Sequence, residues 1–103
     1  MNMNEFVPSE FYLGQNYPNP FNEKTTIKYC IAYKTRVRLS VYNSEGEEIE
    51  KLIDEEKKPG TYEIEFNAVT YHSSEGGKLE GGTYLYSLEA GDYLSEKNMI
   101  LER

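Results

Sequence analysis

Tryptophan is absent from this chain, and cysteine and histidine occur once each, as Cys30 and His72. A single cysteine excludes an intramolecular disulfide, and the two residues do not have the spacing of zinc ligands. A Cys–His catalytic pair is not supported either, because Cys30 falls within a predicted strand and His72 within a polar loop. We expect Cys30 to be a small buried hydrophobic residue, since its neighbours Tyr29 and Ile31 are apolar.

Basic residues are outnumbered, with eleven lysines and arginines against eighteen aspartates and glutamates, for a net charge of −7. This balance disfavours binding to nucleic acid and to anionic lipid, both of which attract Lys and Arg. Seven carboxylates and three lysines lie within Glu45–Lys58, which predicts a solvated, charged hairpin. The run Asp54–Glu56 lacks the spaced oxygen ligands of a calcium loop, so no metal is predicted.

Long apolar runs are also missing, and none approaches the length of a membrane-spanning helix. We therefore predict no direct membrane insertion. The N-terminal residues Met1–Phe6 have neither the charge nor the apolar stretch of a secretory signal peptide. The chain is then either cytoplasmic or part of a longer exported protein. No glycine-rich phosphate loop or nucleophile elbow is present, so no cofactor and no catalytic residue are predicted.

Alternating apolar and polar residues are abundant, and they predict short β-strands rather than helices. The predicted strands are Thr25–Ala32, Val37–Asn43, Glu47–Asp54, Thr61–Asn67, Thr83–Ala90 and Tyr93–Glu102. Within the third strand, Ile49, Leu52 and Ile53 break the alternation, which predicts a bulge. The longest predicted loop is Ala68–Gly82. Six to seven half-buried strands favour an all-β fold, an immunoglobulin-like antiparallel β-sandwich.

A segment with two prolines precedes the first long strand. It comprises Asn16, Tyr17, Pro18, Asn19, Pro20, Phe21 and Asn22. Each proline fixes φ and removes a backbone donor, which predicts a rigid, kinked entry into the strand. Tyr17 and Phe21 bracket the kink and could pack against the sandwich edge. Residues 1–15 carry no sustained period and are predicted to be a linker or N-terminal arm, with Phe6 and Phe11–Leu13 as candidates for local docking. The folded domain is placed at 16–103.

Ten tyrosines suggest carbohydrate binding, because an aromatic ring offers a flat apolar face with a polar tip. Four of them, Tyr29, Tyr62, Tyr84 and Tyr86, fall on inward faces of predicted strands. The others are scattered along the sequence, namely Tyr12, Tyr17, Tyr33, Tyr42, Tyr71 and Tyr93. Core or edge packing is the favoured use of most tyrosines, and an accessory carbohydrate-binding β-sandwich is kept as an alternative.

Four blocks of the sequence, in this order, resemble those of a known family. They are Gln15–Asn22 with Thr25–Tyr29; Val37–Asn43 with Gly46 and Ile49; Pro59–Tyr62 leading to Phe66; and Gly82–Gly91 closing with Lys97, Met99, Ile100 and Leu101. They resemble the type IX, or Por, secretion system C-terminal sorting domain over roughly Pro8–Arg103. The resemblance implies an immunoglobulin-like sandwich without catalytic activity that directs an upstream cargo across the outer membrane.

The same resemblance implies partners, a location and recognition residues. The partners would be an outer-membrane secretion translocon, a sortase-like surface peptidase and an N-terminal cargo domain absent from this chain. The location would be from the periplasm to the cell surface or the extracellular space, as part of a larger protein. The implied recognition residues lie in the final strand pair, and they are Gly82, Tyr84, Tyr86, Gly91, Lys97, Met99 and Leu101.

Two departures from the family pattern favour a second alternative. Glu23 replaces the proline that usually follows the Pro-Phe-Asn motif, and the glycine-rich loop Ser73–Gly82 is longer than in many sorting domains. This loop is similar to that of the immunoglobulin-like domain of flagellar hook-capping proteins. A structural or assembly module of that kind is therefore the alternative to a sorting domain.

Overall fold

A computed structural model of the protein describes residues 8–68 and 79–102, and these residues form seven β-strands. The strands are β1 (Tyr12–Leu13), β2 (Lys24–Ile31), β3 (Thr35–Tyr42), β4 (Glu48–Lys57), β5 (Gly60–Asn67), β6 (Gly82–Ala90) and β7 (Tyr93–Leu101). In the described ranges, no helix is long and apolar enough to cross a membrane. Phe6 and most of the predicted loop at 68–82, with Tyr71 and His72, lie outside the described residues.

The strands form two antiparallel sheets. A three-stranded sheet has the order β1-β2-β5, and a four-stranded sheet has the order β4-β3-β6-β7. This arrangement confirms the predicted all-β antiparallel sandwich of six to seven strands. It also places β7, the last strand of the chain, at an edge of the larger sheet, where one side of its backbone has no neighbouring strand.

The core lies between the sheets and follows the alternation of the sequence. In β2, Ile27 and Ile31 are fully buried while Lys28 is exposed; in β3, Val37 and Leu39 are fully buried. Burying one aliphatic side chain of this kind stabilises a fold by roughly 1.5–3 kcal/mol. The strands are therefore held mainly by their inward faces, and the outward faces are free to carry charge.

The predicted bulge in β4 is confirmed. The register of β4 against β3 shifts twice, and the skipped residues are Leu52 and Ile49. Each extra residue changes which face the following side chains meet. As a result Ile49, Leu52 and Ile53 are all partly buried against the core despite their irregular spacing. The strand also runs further than predicted, to Lys57.

Cys30 differs from its expected burial. Its neighbours Tyr29 and Ile31 point into the core, so alternation turns Cys30 to the outer face of β2. There it is only half-buried, and its Sγ lies 3.6 Å from Oγ1 of Thr61 on β5. The prediction of a buried cysteine was wrong because apolar neighbours in a strand occupy the opposite face.

The described part of the predicted arm packs on the sandwich. Leu13 in β1 pairs with Tyr29 and is 2% exposed. The ring of Phe11 stacks on Tyr93 at 5.5 Å between centroids and meets Tyr33 edge-on at 4.9 Å. The predicted docking of Phe11–Leu13 is thus present, and it brings the start of the domain against the first residue of β7.

Candidate recognition surface

The proline-containing segment joins the two sheets at one side of the sandwich. Tyr17 exchanges two backbone hydrogen bonds of 2.9 Å with Thr26 of β2. Four residues later, Phe21 donates its N–H to the carbonyl of Ile100 at 2.9 Å and accepts from the N–H of Glu102 at 2.7 Å. The predicted kink is therefore a crossing from the smaller sheet to the edge of the larger one.

Two side chains of this segment extend the contact along β7. Oδ1 of Asn19 accepts a hydrogen bond from the N–H of Ile100 at 2.9 Å, and Nε2 of Gln15 donates to the carbonyl of Asn98 at 2.7 Å. The peptide bonds that precede Pro18 and Pro20 are both cis. We call residues 15–21 the edge strap, because they cover the outer edge of β7 from residue 98 to residue 102.

The other half of the β7 edge has no such cover. The N–H and carbonyl of Ile100 point away from β6, so in an antiparallel strand those of Asn98, Glu96 and Leu94 face the same edge. Among the described residues, no hydrogen bond joins this edge at Leu94–Lys97 to another segment. The side chain of Leu94 is 64% exposed. An open strand edge of this kind can pair with another extended chain.

A buried hydrogen-bond network fixes the edge strap to the core. Asn16 is 2% exposed; its N–H donates to the Tyr86 hydroxyl at 2.8 Å, and its Nδ2 donates to Oγ1 of Thr25 at 3.0 Å. The Tyr86 hydroxyl donates to the carbonyl of Gly14 at 2.6 Å, and that of Thr25 donates to the carbonyl of Pro18 at 2.8 Å. Since burial favours the neutral phenol, it raises the pKa of Tyr86 to about 12.

The residues that the resemblance implied for recognition fall into two groups. Tyr84, Tyr86, Met99 and Leu101 are buried and contribute to the core. Gly82 and Gly91 are exposed, and Lys97 is half-buried. Gly91 begins the two-residue turn between β6 and β7 with φ of +61°, where a side chain would be strained. In the folded domain the buried group shapes the hairpin, and only the exposed group can touch a partner directly.

Four residues at this surface were not among those implied individually for recognition, although Gln15, Thr25 and Ile100 fall within the family blocks. Gln15 and Thr25 act through partners distant in the chain or across a loop, so no local pattern marks them. Leu94 and Ile100 do have a signal. They are apolar residues at outward positions of β7, 64% and 42% exposed, while their alternating neighbours face inward.

Both arginines on the outer face of the four-stranded sheet are paired with carboxylates. Arg36 contacts Asp54 at 2.9 Å, and Arg38 contacts Glu89 at 3.2 Å. The hydrogen bond from Arg36 is the main cause that holds the pKa of Asp54 below its usual value. Among the described residues, no group of three acidic, histidine or cysteine side chains could hold a metal ion.

Comparisons with known proteins agree with this fold. The family model described as "Secretion system C-terminal sorting domain" matches residues 15–102. Of the solved structures, the crystal structure of dimeric latent PorU from Porphyromonas gingivalis is similar, with a TM-score of 0.65 and 20% sequence identity. The similarity covers 94% of this chain but 10% of that one. No curated protein sequence matches the chain.

The family match runs from the edge strap to the end of β7 and so includes both halves of the candidate surface. The solved structure supports the fold alone, and the chain spans only about a tenth of that protein's length. The chain therefore belongs to the family of secretion system C-terminal sorting domains, the sorting signals of proteins that type IX secretion exports to the cell surface or the extracellular space.

Proposed function

We propose that this domain directs the export of a protein attached to its N-terminal side, and that the secretion machinery recognises the β6–β7 hairpin. The partners would be an outer-membrane translocon and a sortase-like surface peptidase. Sorting domains of this family are non-catalytic in general. We infer the same for this chain.

The open half of the β7 edge is the observation that supports recognition at this place. At Leu94–Lys97 the outward backbone groups have no partner among the described residues, whereas the edge strap covers residues 98–102. A partner strand could pair with the open half through main-chain hydrogen bonds. Leu94, on the outward side of β7, would add an apolar side chain that distinguishes this edge from others.

The buried recognition candidates have an indirect role in this proposal. Met99 and Leu101 anchor β7 in the core, and Tyr86 anchors β6 to the edge strap. Together they set the position at which the open edge is presented. Loss of any of them would impair recognition by unfolding the hairpin, without removing a contact to the partner.

Export of a reporter tests the sorting function. The whole 103-residue chain would be fused to the C-terminus of a periplasmic reporter in a bacterium with an active type IX system. We expect the reporter on the cell surface or in the medium, and we expect a fusion without Lys97–Arg103 to keep it in the periplasm. Retention of the intact fusion in the periplasm would refute the sorting function for this chain.

A second pair of fusions tests the edge itself. Glu96→Pro removes an outward N–H while leaving the bonds from β7 to β6 in place, and proline is tolerated at such edge positions. Glu96→Ala is the matched control, because it removes the same side chain and keeps the donor. We expect export to fall with Glu96→Pro only, with both variants folded by circular dichroism. Equal export of the Glu96→Pro and Glu96→Ala fusions would refute strand pairing at this edge, but it would not contradict the sorting function.

A further inference from the structure

The outer face of the three-stranded sheet carries a groove that the sorting function does not use. Its volume is about 420 Å³. Tyr12 and Tyr17, which are 51% and 79% exposed, line it together with Thr26, Lys28 and Glu63. This volume falls in the range of small-molecule sites in proteins.

The two tyrosines were scattered in the sequence, and the fold brings them to one face. Tyr12 pairs with position 30 of β2, and Tyr17 pairs with Thr26. Four residues of one strand separate these positions, which is a distance of ~13 Å. Between them Gly14 donates its N–H to the carbonyl of Lys28 at 2.8 Å. Because Gly14 has no side chain, the Tyr12 ring can lie against it; a Cβ at this position would be 3.1 Å from Cε2 of Tyr12.

Among the described residues, three polar side chains of the groove have no partner, and a fourth, Gln15, is paired through its Nε2 only. No hydrogen bond or salt bridge engages the side chains of Thr26, Lys28 or Glu63, although Lys28 and Glu63 are opposite each other in the β2–β5 pairing. Gln15 donates its Nε2 to Asn16 and Asn98, and its side-chain carbonyl has no such bond. The arginines on the outer face of the other sheet, by contrast, are paired with carboxylates.

We propose that this groove binds a neutral oligosaccharide. Two exposed aromatic rings suit the flat C–H faces of sugar rings, and the free hydroxyl, amide, ammonium and carboxylate groups suit sugar hydroxyls. One positive and one negative side chain give the lining no net charge, so Glu63 would oppose an anionic ligand. A wholly apolar ligand would leave the polar groups unpaired. The strand positions that carry Tyr12 and Tyr17 are ~13 Å apart, which is more than one sugar ring spans, so a short chain of sugars is favoured.

Titration of the whole chain with defined sugars tests this inference. The probes are cellohexaose, xylohexaose and mannohexaose, followed by two-dimensional amide NMR of the labelled protein. We expect at least one hexasaccharide to shift the amides of residues 12–17, Thr26, Lys28 and Glu63. Tyr17→Ala should weaken its binding about tenfold, the loss that corresponds to ~1.4 kcal/mol of ring stacking. Leu94→Ala, a 64% exposed site on the other sheet, should bind as the unaltered chain does.

The inference is overturned if none of the three sugars shifts these amides, if the shifts map to another face, or if Tyr17→Ala binds as tightly as Leu94→Ala. It is also overturned if the groove takes an extended unrelated peptide and no sugar. Because the measurement is direct binding, its result is independent of export. Tyr12 lines the same groove but lies outside the edge strap. A Tyr12→Ala fusion should therefore be exported as well as the unaltered fusion, which separates this site from the β7 edge.

Discussion

At the scale of the residue, Tyr86 shows how one buried polar group can decide the position of a loop. Its ring is in the core, and its hydroxyl serves both the N–H of Asn16 and the carbonyl of Gly14. Sequence alternation identified Tyr86 as inward-facing. It could not identify these two partners, since they lie 70 and 72 residues away in the chain.

Tyr86→Phe should lower the free energy of unfolding by about 1–3 kcal/mol, because it leaves a buried N–H and a buried carbonyl without their partner. Tyr62→Phe is the matched control, since it removes a hydroxyl that bonds the carbonyl of Lys58 at an exposed site. Urea denaturation followed by circular dichroism measures both. A loss for Tyr86→Phe no greater than that for Tyr62→Phe would contradict the structural role of the network.

The same phenol predicts a dependence on alkaline pH. The pKa of Tyr86 is raised in the folded state, from an ordinary value of 10.0 to about 12. A raised pKa means that the folded state holds the proton more tightly, so this stability is complete below pH 10 and is lost as pH rises from about 10 to 12. We expect the unfolding free energies of the unaltered chain and Tyr86→Phe to converge over this range, by up to about 3 kcal/mol. A difference that stays constant from pH 8 to pH 12 would exclude ionisation of Tyr86 as the cause.

At the scale of the element, alternation within a strand was predictable and contact between strands was not. The inward residues Val37, Leu39 and Val41 follow from period two alone. The pairing of Phe21 with Leu101 joins segments 80 positions apart and depends on which strand becomes the edge. Cys30 shows that burial can be mispredicted even within one strand, because its apolar neighbours indicate burial of the opposite face only.

Because the edge strap covers part of β7, removing one of its contacts should change amide hydrogen exchange locally. Asn19→Ala removes the side-chain acceptor of the Ile100 N–H while leaving the bonds of Phe21 to Ile100 and Glu102. Hydrogen exchange at the Ile100 amide should become about tenfold faster, as expected for a local opening that is easier by ~1.4 kcal/mol. The amides of Met99 and Leu101 point to β6 and serve as internal controls. Equal acceleration at all three would indicate opening of the whole strand instead.

At the scale of the whole molecule, the two edges of the four-stranded sheet are protected differently. The β4 edge is rich in charged side chains, of which Asp54 and Lys51 form a salt bridge at 3.6 Å. Charged edges discourage pairing with other chains. The β7 edge relies on the edge strap and is open at Leu94–Lys97. In an acidic domain of net charge −7, this uneven protection is why we propose the β7 edge, and not the β4 edge, as the place where a partner pairs.

The N-terminal boundary of the folded domain differs between the sequence-based prediction and the structure. Composition placed the domain at residue 16, but Leu13 is buried and Gly14 bonds both β2 and Tyr86. We propose that the stable unit begins before Phe11. A chain of residues 16–103 should then be less stable than one of residues 8–103 by at least the ~1.5–3 kcal/mol of burying Leu13. Urea denaturation of the two chains measures the difference in unfolding free energy. Leu13→Ala in the longer chain shows how much of that difference comes from the Leu13 side chain and how much from the backbone. Equal urea midpoints for the two chains would contradict this proposal and support a domain boundary at residue 16.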